Sequence, residues 1–197
     1  MSTPPTRRRT ASHEVSAALL RAAETVLDRD GSDGVTVRAV AEAAEVSPTS
    51  VYNRFRSKDG LTVALAVRTL ARLGEIVDVP AGPEPRERLR QSCRNYRDFA
   101  LRHPARYALI FGTGSPLEDQ SSEAAESGRA VFTVLKGLIG DVAPELDDGE
   151  LPEAAQTVWA ALHGSVTIEQ AGIGQTPDAD ATFEHMLDCL IQGVTAS

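Results

Sequence analysis

Apolar residues in this chain of 197 residues recur every three to four positions almost from end to end, and strand-like alternation is nearly absent. That periodicity commits the chain to helices. Val15, Leu19, Ala22, Ala23, Val26 and Leu27 mark one stripe of a first helix that should end near Gly31. After a loop from Asp30 to Gly34, Thr36 is placed to cap a second, short helix whose Val37, Val40, Ala41 and Ala44 fall at i, i+3, i+4 and i+7. Ser47 and Pro48 suit the cap and first turn of a third, with Val51 and Phe55 on its inner side. Ser57, Lys58 and Asp59 open a long helix that carries Leu61, Ala64, Leu65, Leu70, Leu73 and Ile76 to about Val77. The Pro- and Gly-rich stretch from Val79 to Pro85 separates it from a helix that stops before Pro104, and further helices are expected at about 105–111, 121–140, 152–171 and 179–194. The expectation is an all-α chain of about nine helices, three of them short and packed at the front.

Composition narrows the function classes. With 42% hydrophobic and 24% charged residues the chain can bury a core, and no apolar run approaches the roughly 18 residues of a membrane helix. The polar, arginine-rich N-terminus lacks the apolar stretch of an export signal, so a cytoplasmic protein with no membrane partner is expected. Cys93 and Cys189 are far apart and have no CxxC partner; both are expected to be buried, with neither a disulfide framework nor a zinc site. His13, His103, His163 and His185 show no metal-ligand spacing, and no metal or cofactor is expected. The net charge of −8 is unevenly spread: residues 1–60 hold 9 Lys+Arg against 8 Asp+Glu, a balance of +1, and residues 61–197 hold 11 against 20, a balance of −9. Arg7, Arg8 and Arg9 form the one dense basic run, read either as a flexible arm over 1–11 that reaches phosphates or a groove, or as a solvated tail.

The segments 36–44 and 48–55 are two short helices joined by a tight turn, the first rich in small residues so that the second can cross it closely. This is the pattern of a helix-turn-helix, whose second helix lies in the major groove; a plain helical hairpin in a bundle is the alternative. The run from Thr36 to Leu61 closely resembles the DNA-binding domain of the TetR family of transcriptional repressors. The likeness rests on Thr36, Ala41-Glu42-Ala43-Ala44, Val46-Ser47, Tyr52, Phe55 and Ser57-Lys58, and covers about residues 12–65. It implies a DNA-binding domain over 12–58 and a helical effector-binding and dimerisation domain over 59–197. Three positions depart from the family. Glu45 stands where glycine is usual, which implies a strained residue or an altered turn. Pro48-Thr49 replaces a frequent Lys-Gly pair, and Asn53-Arg54 replaces the usual histidine or tyrosine.

Thr36, Tyr52 and Lys58 resemble the family's backbone-contacting positions, since a hydroxyl, a phenol and an ammonium can each donate to phosphate oxygens. Thr49, Ser50, Asn53 and Arg54 lie on the recognition helix away from Val51 and Phe55 and are the expected base readers. Arg38 and Arg56 are weaker expectations, solvated or phosphate-facing. A distal acidic domain does not forbid this, because charges beyond a Debye length of about 8 Å are screened at physiological salt.

Two stretches, from His103 to Gly112 and from Trp159 to Gly164, resemble the TetR subgroup whose C-terminal domain is named for Trp, His and Gly. The resemblance implies that the last two helices form a four-helix bundle with those of a second subunit. The last two helices carry apolar stripes, Val158, Ala161, Leu162, Val166 and Phe183, Met186, Leu187, Leu190, Ile191, Val194; all of these but Ala161 and Met186 are the expected dimer face, with burial inside the monomer as the alternative. Dimerisation would place two recognition helices on half-sites about 34–36 Å apart, on a palindromic double-stranded operator. Tyr96, Phe99, Tyr107, Phe111, Phe132, Trp159 and His163 could line a small-molecule effector pocket or could simply pack the core. An enzyme is not expected: Ser165 and His163 face different ways on a helix, no GxSxG elbow is present, and Gly112-Thr113-Gly114 lacks the strand and Lys-Ser/Thr of a phosphate loop. The reading is a homodimeric repressor released from its operator by an effector; a helical adaptor that keeps the hairpin without reading DNA is the rival.

Overall fold

The computed structural model describes residues 6–195 apart from Pro83, with side chains from Glu14 onward. Among the described residues there are nine helices and no strand: α1 (Thr6–Gly34), α2 (Val37–Ala43), α3 (Pro48–Phe55), α4 (Lys58–Val77), α5 (Pro85–Arg102), α6 (Pro104–Phe111), α7 (Glu123–Val142), α8 (Glu150–Gln170) and α9 (Ala179–Thr195). The bounds follow the periodicity closely. The expected arm over 1–11 is entered by α1 at Thr6, while residues 1–5 and the side chains of Arg7, Arg8 and Arg9 lie outside the described residues. The expected end of the first helix becomes a kink, since Gly31 takes φ 71° and ψ −176° inside α1. No described helix is long and apolar enough to cross a membrane.

The chain divides into two compact units, Met1–Thr69 with Ala105–Glu126, and Leu70–Pro104 with Ser127–Ser197. The first turns of α4 lie in the same unit as the helix-turn-helix, and so does α6. In the first unit Leu19, Ala23, Val26 and Leu27 of α1, Val40 and Ala41 of α2, Val51 of α3, and Leu61, Leu65 and Ala66 of α4 are buried, with α1 against α2 and α2 against α3. Each such Leu or Val contributes about 1.5–3 kcal/mol over its exposed state. Val15 departs from its expected place on this stripe, being 53% exposed.

The second unit is built on α5, which packs against α8 and α9. Leu89, Cys93, Tyr96, Phe99 and Ala100 supply one buried stripe, and Val158, Leu162, Val166, Phe183, Leu187, Ile191 and Val194 supply the others. A clasp of ion pairs closes over this core. Arg97 donates to Glu169 near the end of α8 at 2.8 and 2.7 Å and to Asp180 at the start of α9 at 2.7 Å, with its guanidinium 4.9 Å from the Phe183 ring centre. Arg94 grips Glu184 with two hydrogen bonds of 2.7 and 2.9 Å, and Arg90 reaches Glu184 and Asp188. The chain has no Lys or Arg after Lys136, and α5 supplies the cations that pair with Glu169, Asp180, Glu184 and Asp188. Burial pushes the Cys93 thiol up to about 12, which keeps it protonated and inert. Cys189, expected to be buried, is exposed on α9, with Sγ 3.8 Å from Nε2 of His185.

Candidate nucleic-acid interface

The interface is assembled by caps and turns that the residues themselves dictate. Thr36 adopts extended backbone, φ −121° and ψ 155°, and its Oγ1 accepts the Ala39 N–H at 3.1 Å. Because the hydroxyl accepts from the helix, its own proton remains to be donated. At the other end of α2 the Val46 N–H reaches the Ala41 carbonyl at 2.9 Å, while Glu45 takes φ 54°. This is the crossed hydrogen bond of a Schellman turn with a left-handed residue, the place where glycine is usual. The expectation of positive φ at Glu45 holds, and the turn keeps ordinary geometry around a strained residue.

The next helix starts as the sequence implied. Ser47 Oγ accepts the Ser50 N–H at 3.3 Å and Pro48 occupies the first turn. Ser47 Oγ also lies 3.0 Å from Ser50 Oγ, so the Ser50 hydroxyl is partly engaged by its own cap. Val51 is fully buried and Phe55 half-buried, whereas Thr49, Ser50, Tyr52, Asn53 and Arg54 are exposed, Tyr52 by 58%. One face of α3 is thus anchored and the other is turned to solvent.

The exit from α3 is tighter than the sequence suggested. Arg56 takes φ 70° and ψ −39°, and the Ser57 N–H donates back to the Phe55 carbonyl at 2.8 Å, a strained three-residue turn. Ser57 Oγ then accepts the Gly60 N–H at 3.0 Å and caps α4, with exposed Lys58 as its first residue. A Cβ on Gly60 would collide with the Phe55 carbonyl oxygen, so glycine is required by close backbone approach. Gly60 lies within the family-like run, and an isolated glycine in a first helical turn is the sequence signal that marks it. Arg38 and Arg56 are both exposed.

The expected effector residues are divided between the two units. Tyr107 and Phe111, edge to face with ring centres 5.0 Å apart, belong to α6 in the first unit. In the second unit Phe132, Trp159 and His163 form a row with ring centres 6.4 and 6.1 Å apart, and partial burial lowers the His163 pKa from the usual imidazole range. Tyr96 and Phe99 are buried on α5, with Phe99 packed on His103. A cavity of about 530 Å³ in that unit is lined by Leu146, Ala154, Val158, Cys189, Leu190 and Val194 among others, and by none of the seven aromatic-set residues.

The expected dimer stripes lie mostly inside the single chain. Val158, Leu162, Val166, Phe183 and Leu187 are at most 3% exposed within the single chain, and Ile191 and Val194 are 6% and 8% exposed; Leu190 alone of the eight is half-exposed. Burial inside the monomer is what these residues do. The outward side of α8 instead carries Ala154, Thr157, Ala161, Gly164 and Ile168, spaced three and four apart, with Ile168 47% exposed. The matching side of α9 carries Thr182, Met186, Cys189 and Gly193. Among the described residues no group of three or more His, Cys, Asp or Glu is placed to hold a metal ion.

Comparison with known proteins agrees with this arrangement. Residues 19–65 match the family model described as bacterial regulatory proteins, tetR family, and residues 89–190 match the tetracyclin repressor-like C-terminal domain. The latter is a broader description than the Trp-His-Gly subgroup, which stays a resemblance. The chain is similar to an uncharacterised HTH-type transcriptional regulator of Mycobacterium tuberculosis, 31% identical over 182 residues that cover 90% of this chain and 80% of that protein. It is 27% identical over 191 residues to the class A tetracycline repressor from transposon 1721 in Escherichia coli, covering 89% and 88%. A solved structure of a protein of unknown function from Rhodococcus sp. RHA1 superposes with TM-score 0.77 at 27% identity, covering 91% of this chain and 94% of that one.

Proposed function

Since the chain belongs to the TetR family and is a DNA-binding transcriptional regulator, we propose that it acts as a homodimeric repressor that holds a palindromic operator and releases it to a small-molecule effector. The observation that carries this is the anchored and exposed division of α3, with Val51 and Phe55 inward and Thr49, Ser50, Asn53 and Arg54 outward. The outward amide and guanidinium can pair with adenine and guanine edges. Thr36, Tyr52 and Lys58 would donate to phosphates on either side and hold the register. One relative is named a tetracycline repressor protein, and release by a ligand is typical of the family. The half-buried row of Phe132, Trp159 and His163 is the best-supported place for effector contacts, in an apolar setting with one polar tip. A second copy would dock on the outward seam of α8 and α9, whose small residues allow close approach. Cytoplasmic residence and the lack of catalysis belong to this same reading.

The test is fluorescence-anisotropy titration against duplexes selected from random-sequence DNA, over a range of salt. The unaltered protein should bind a palindrome with a slope of log K on log salt of about −5 to −7 if six to eight phosphates are contacted. Tyr52→Phe with Lys58→Ala should weaken all duplexes alike and flatten the slope, whereas Arg54→Ala should cost about 1–3 kcal/mol and relax preference at one position. Ala161→Arg should leave half-site binding intact and abolish the gain from the second half-site. If no duplex is selected at low salt, the operator reading fails and the adaptor reading replaces it.

A further inference from the structure

The chain crosses between its two units three times, after Thr69, after Pro104 and after Glu126, so that residues 105–126 are an insertion into the unit that carries the helix-turn-helix. Two residues past the second crossing stands Arg106. Its guanidinium forms a bidentate pair with Asp28 of α1, Nε to Oδ1 at 2.9 Å and Nη2 to Oδ2 at 2.7 Å, and its third nitrogen lies 3.6 Å from Glu24. Glu24 sits one turn before Asp28 on the same face of α1, with a side chain only 13% exposed, and also accepts from Arg68 Nε of α4 at 2.8 Å. A lone exposed ion pair would contribute little. This one differs in three ways: the fork is bidentate, one carboxylate is shared by two guanidinia, and three helices are tied at a single point. Both acids lie on α1, which packs against α2, and α2 packs against the reading helix α3.

We propose that Arg106, Glu24, Asp28 and Arg68 are positioning residues for operator recognition: they fasten the inserted segment 105–126 to α1 so that it and the reading head move as one body, which restricts the half-site spacing the protein accepts. None of the four touches DNA in this scheme; they act through α1 and α2 on where α3 is presented. The inference rests on the two-headed reading above and adds the residues that set the separation of the heads.

The test uses the full chain and the palindrome that the unaltered protein selects from random-sequence DNA, with three companions: the same palindrome with its spacer lengthened by one base pair, shortened by one, and a single half-site. Arg106→Gln and Asp28→Asn remove the fork from either side, and Arg106→Lys returns the charge without the bidentate geometry. The expected result is a loss of about five- to tenfold on the selected palindrome, a flattened preference between the three spacers, and unchanged half-site affinity, with Arg106→Lys in between. A spacer preference in Arg106→Gln and Asp28→Asn that matches that of the unaltered protein overturns the proposal. So does an equal loss on the half-site, which would mean local damage to the head, and Asp28→Asn guards against a folding defect peculiar to Arg106→Gln because Arg106 then keeps its place beside Glu24. Should the unaltered protein hold the half-site as tightly as the palindrome, the two-headed reading is what fails, and the spacing role falls with it.

Discussion

The corner that presents α3 and the clasp that joins α5 to α8 and α9 are held together by opposite means. The corner, from Ala44 to Leu61, is a sequence of backbone devices: the Val46 to Ala41 hydrogen bond, the left-handed Glu45 and Arg56, the Ser47 and Ser57 caps, and the contact of Gly60 with the Phe55 carbonyl. Its partners are rarely more than five residues apart. The clasp joins side chains whose partners are 72 to 98 residues away, Arg97 to Glu169 and Arg90 to Asp188 marking the extremes. Backbone turns keep their shape whatever the salt or pH, whereas ion pairs are screened and titrated. A reading surface must be stiff to discriminate bases, and here stiffness is taken from short-range geometry. The unit that would respond to an effector is held by contacts that conditions can loosen.

The sharpest way to break the corner is Gly60→Ala. The added methyl meets a backbone oxygen that cannot rotate aside, so α3 and the first turn of α4 must separate. The expected cost is about 2–3 kcal/mol of stability, as for overpacked sites, with operator affinity falling more than the lost stability alone explains. Gly74→Ala in the same helix is the control, because its Cβ would meet only Val131 Cγ2 at 3.6 Å, an ordinary contact. Urea unfolding and anisotropy on both proteins separate the corner from a general effect of alanine.

Arg97→Met probes the clasp while keeping an apolar stem over Phe183. It removes three hydrogen bonds to Glu169 and Asp180 and is expected to cost about 1–2 kcal/mol, below the full value for charged hydrogen bonds because Asp180 is largely exposed. The deficit should shrink near 1 M salt, where the Debye length is about 3 Å. Acid gives a second handle. Hydrogen bonds from Arg94, and then from Arg90, hold the Glu184 carboxyl below its usual range. A depressed folded pKa contributes stability that is present above the unfolded value, about 4.3, and is lost as pH falls through the folded one. Unfolding followed between pH 6 and 3 should therefore show a loss at the acid end that Arg94→Gln reduces; an identical pH profile in the two proteins would remove Glu184 from the clasp.

The contrast also explains how much could be read from the sequence. Caps and periodicity are local, so Thr36, Ser47 and Pro48 declared the starts of α2 and α3, and the bounds of most helices fell within one or two residues. Glu45 was legible because a turn position that wants glycine is defined by its neighbours. Arg56 gave no sign, since nothing in an arginine codon position announces positive φ. The partners of Arg97 and Arg106 were invisible because their sequence separation carries no period. On α8 the large residues Val158, Leu162 and Val166 form the stripe expected at the interface, and the structure turns Ala154, Thr157, Ala161, Gly164 and Ile168 outward. Hydrophobicity ranks the large stripe first for any interface, and the chain's own core claims it for that same reason.

The smallest predicted effect tests whether the corner carries strain that sequence choice could relieve. Glu45 has φ 54° and is exposed, so its side chain supports nothing in the core. Left-handed backbone costs an L-residue about 1–2 kcal/mol, and glycine escapes that cost while losing about 0.5–1 kcal/mol through the greater freedom of the unfolded chain. Glu45→Gly should therefore stabilise the protein by about 0.5–1 kcal/mol, read as a rise in the urea midpoint with the slope unchanged. The substitution also removes a negative charge from the turn that leads into the reading helix, so binding to unselected DNA should tighten more than binding to the selected palindrome. Glu45→Gln separates the two effects, since it removes the charge and keeps the strain: it should reproduce the tighter unselected binding and leave the midpoint where it was. If Glu45→Gly leaves the midpoint unchanged or lowers it, the turn holds its left-handed residue without strain, and the stiffness of the corner rests on Gly60 and the two serine caps alone.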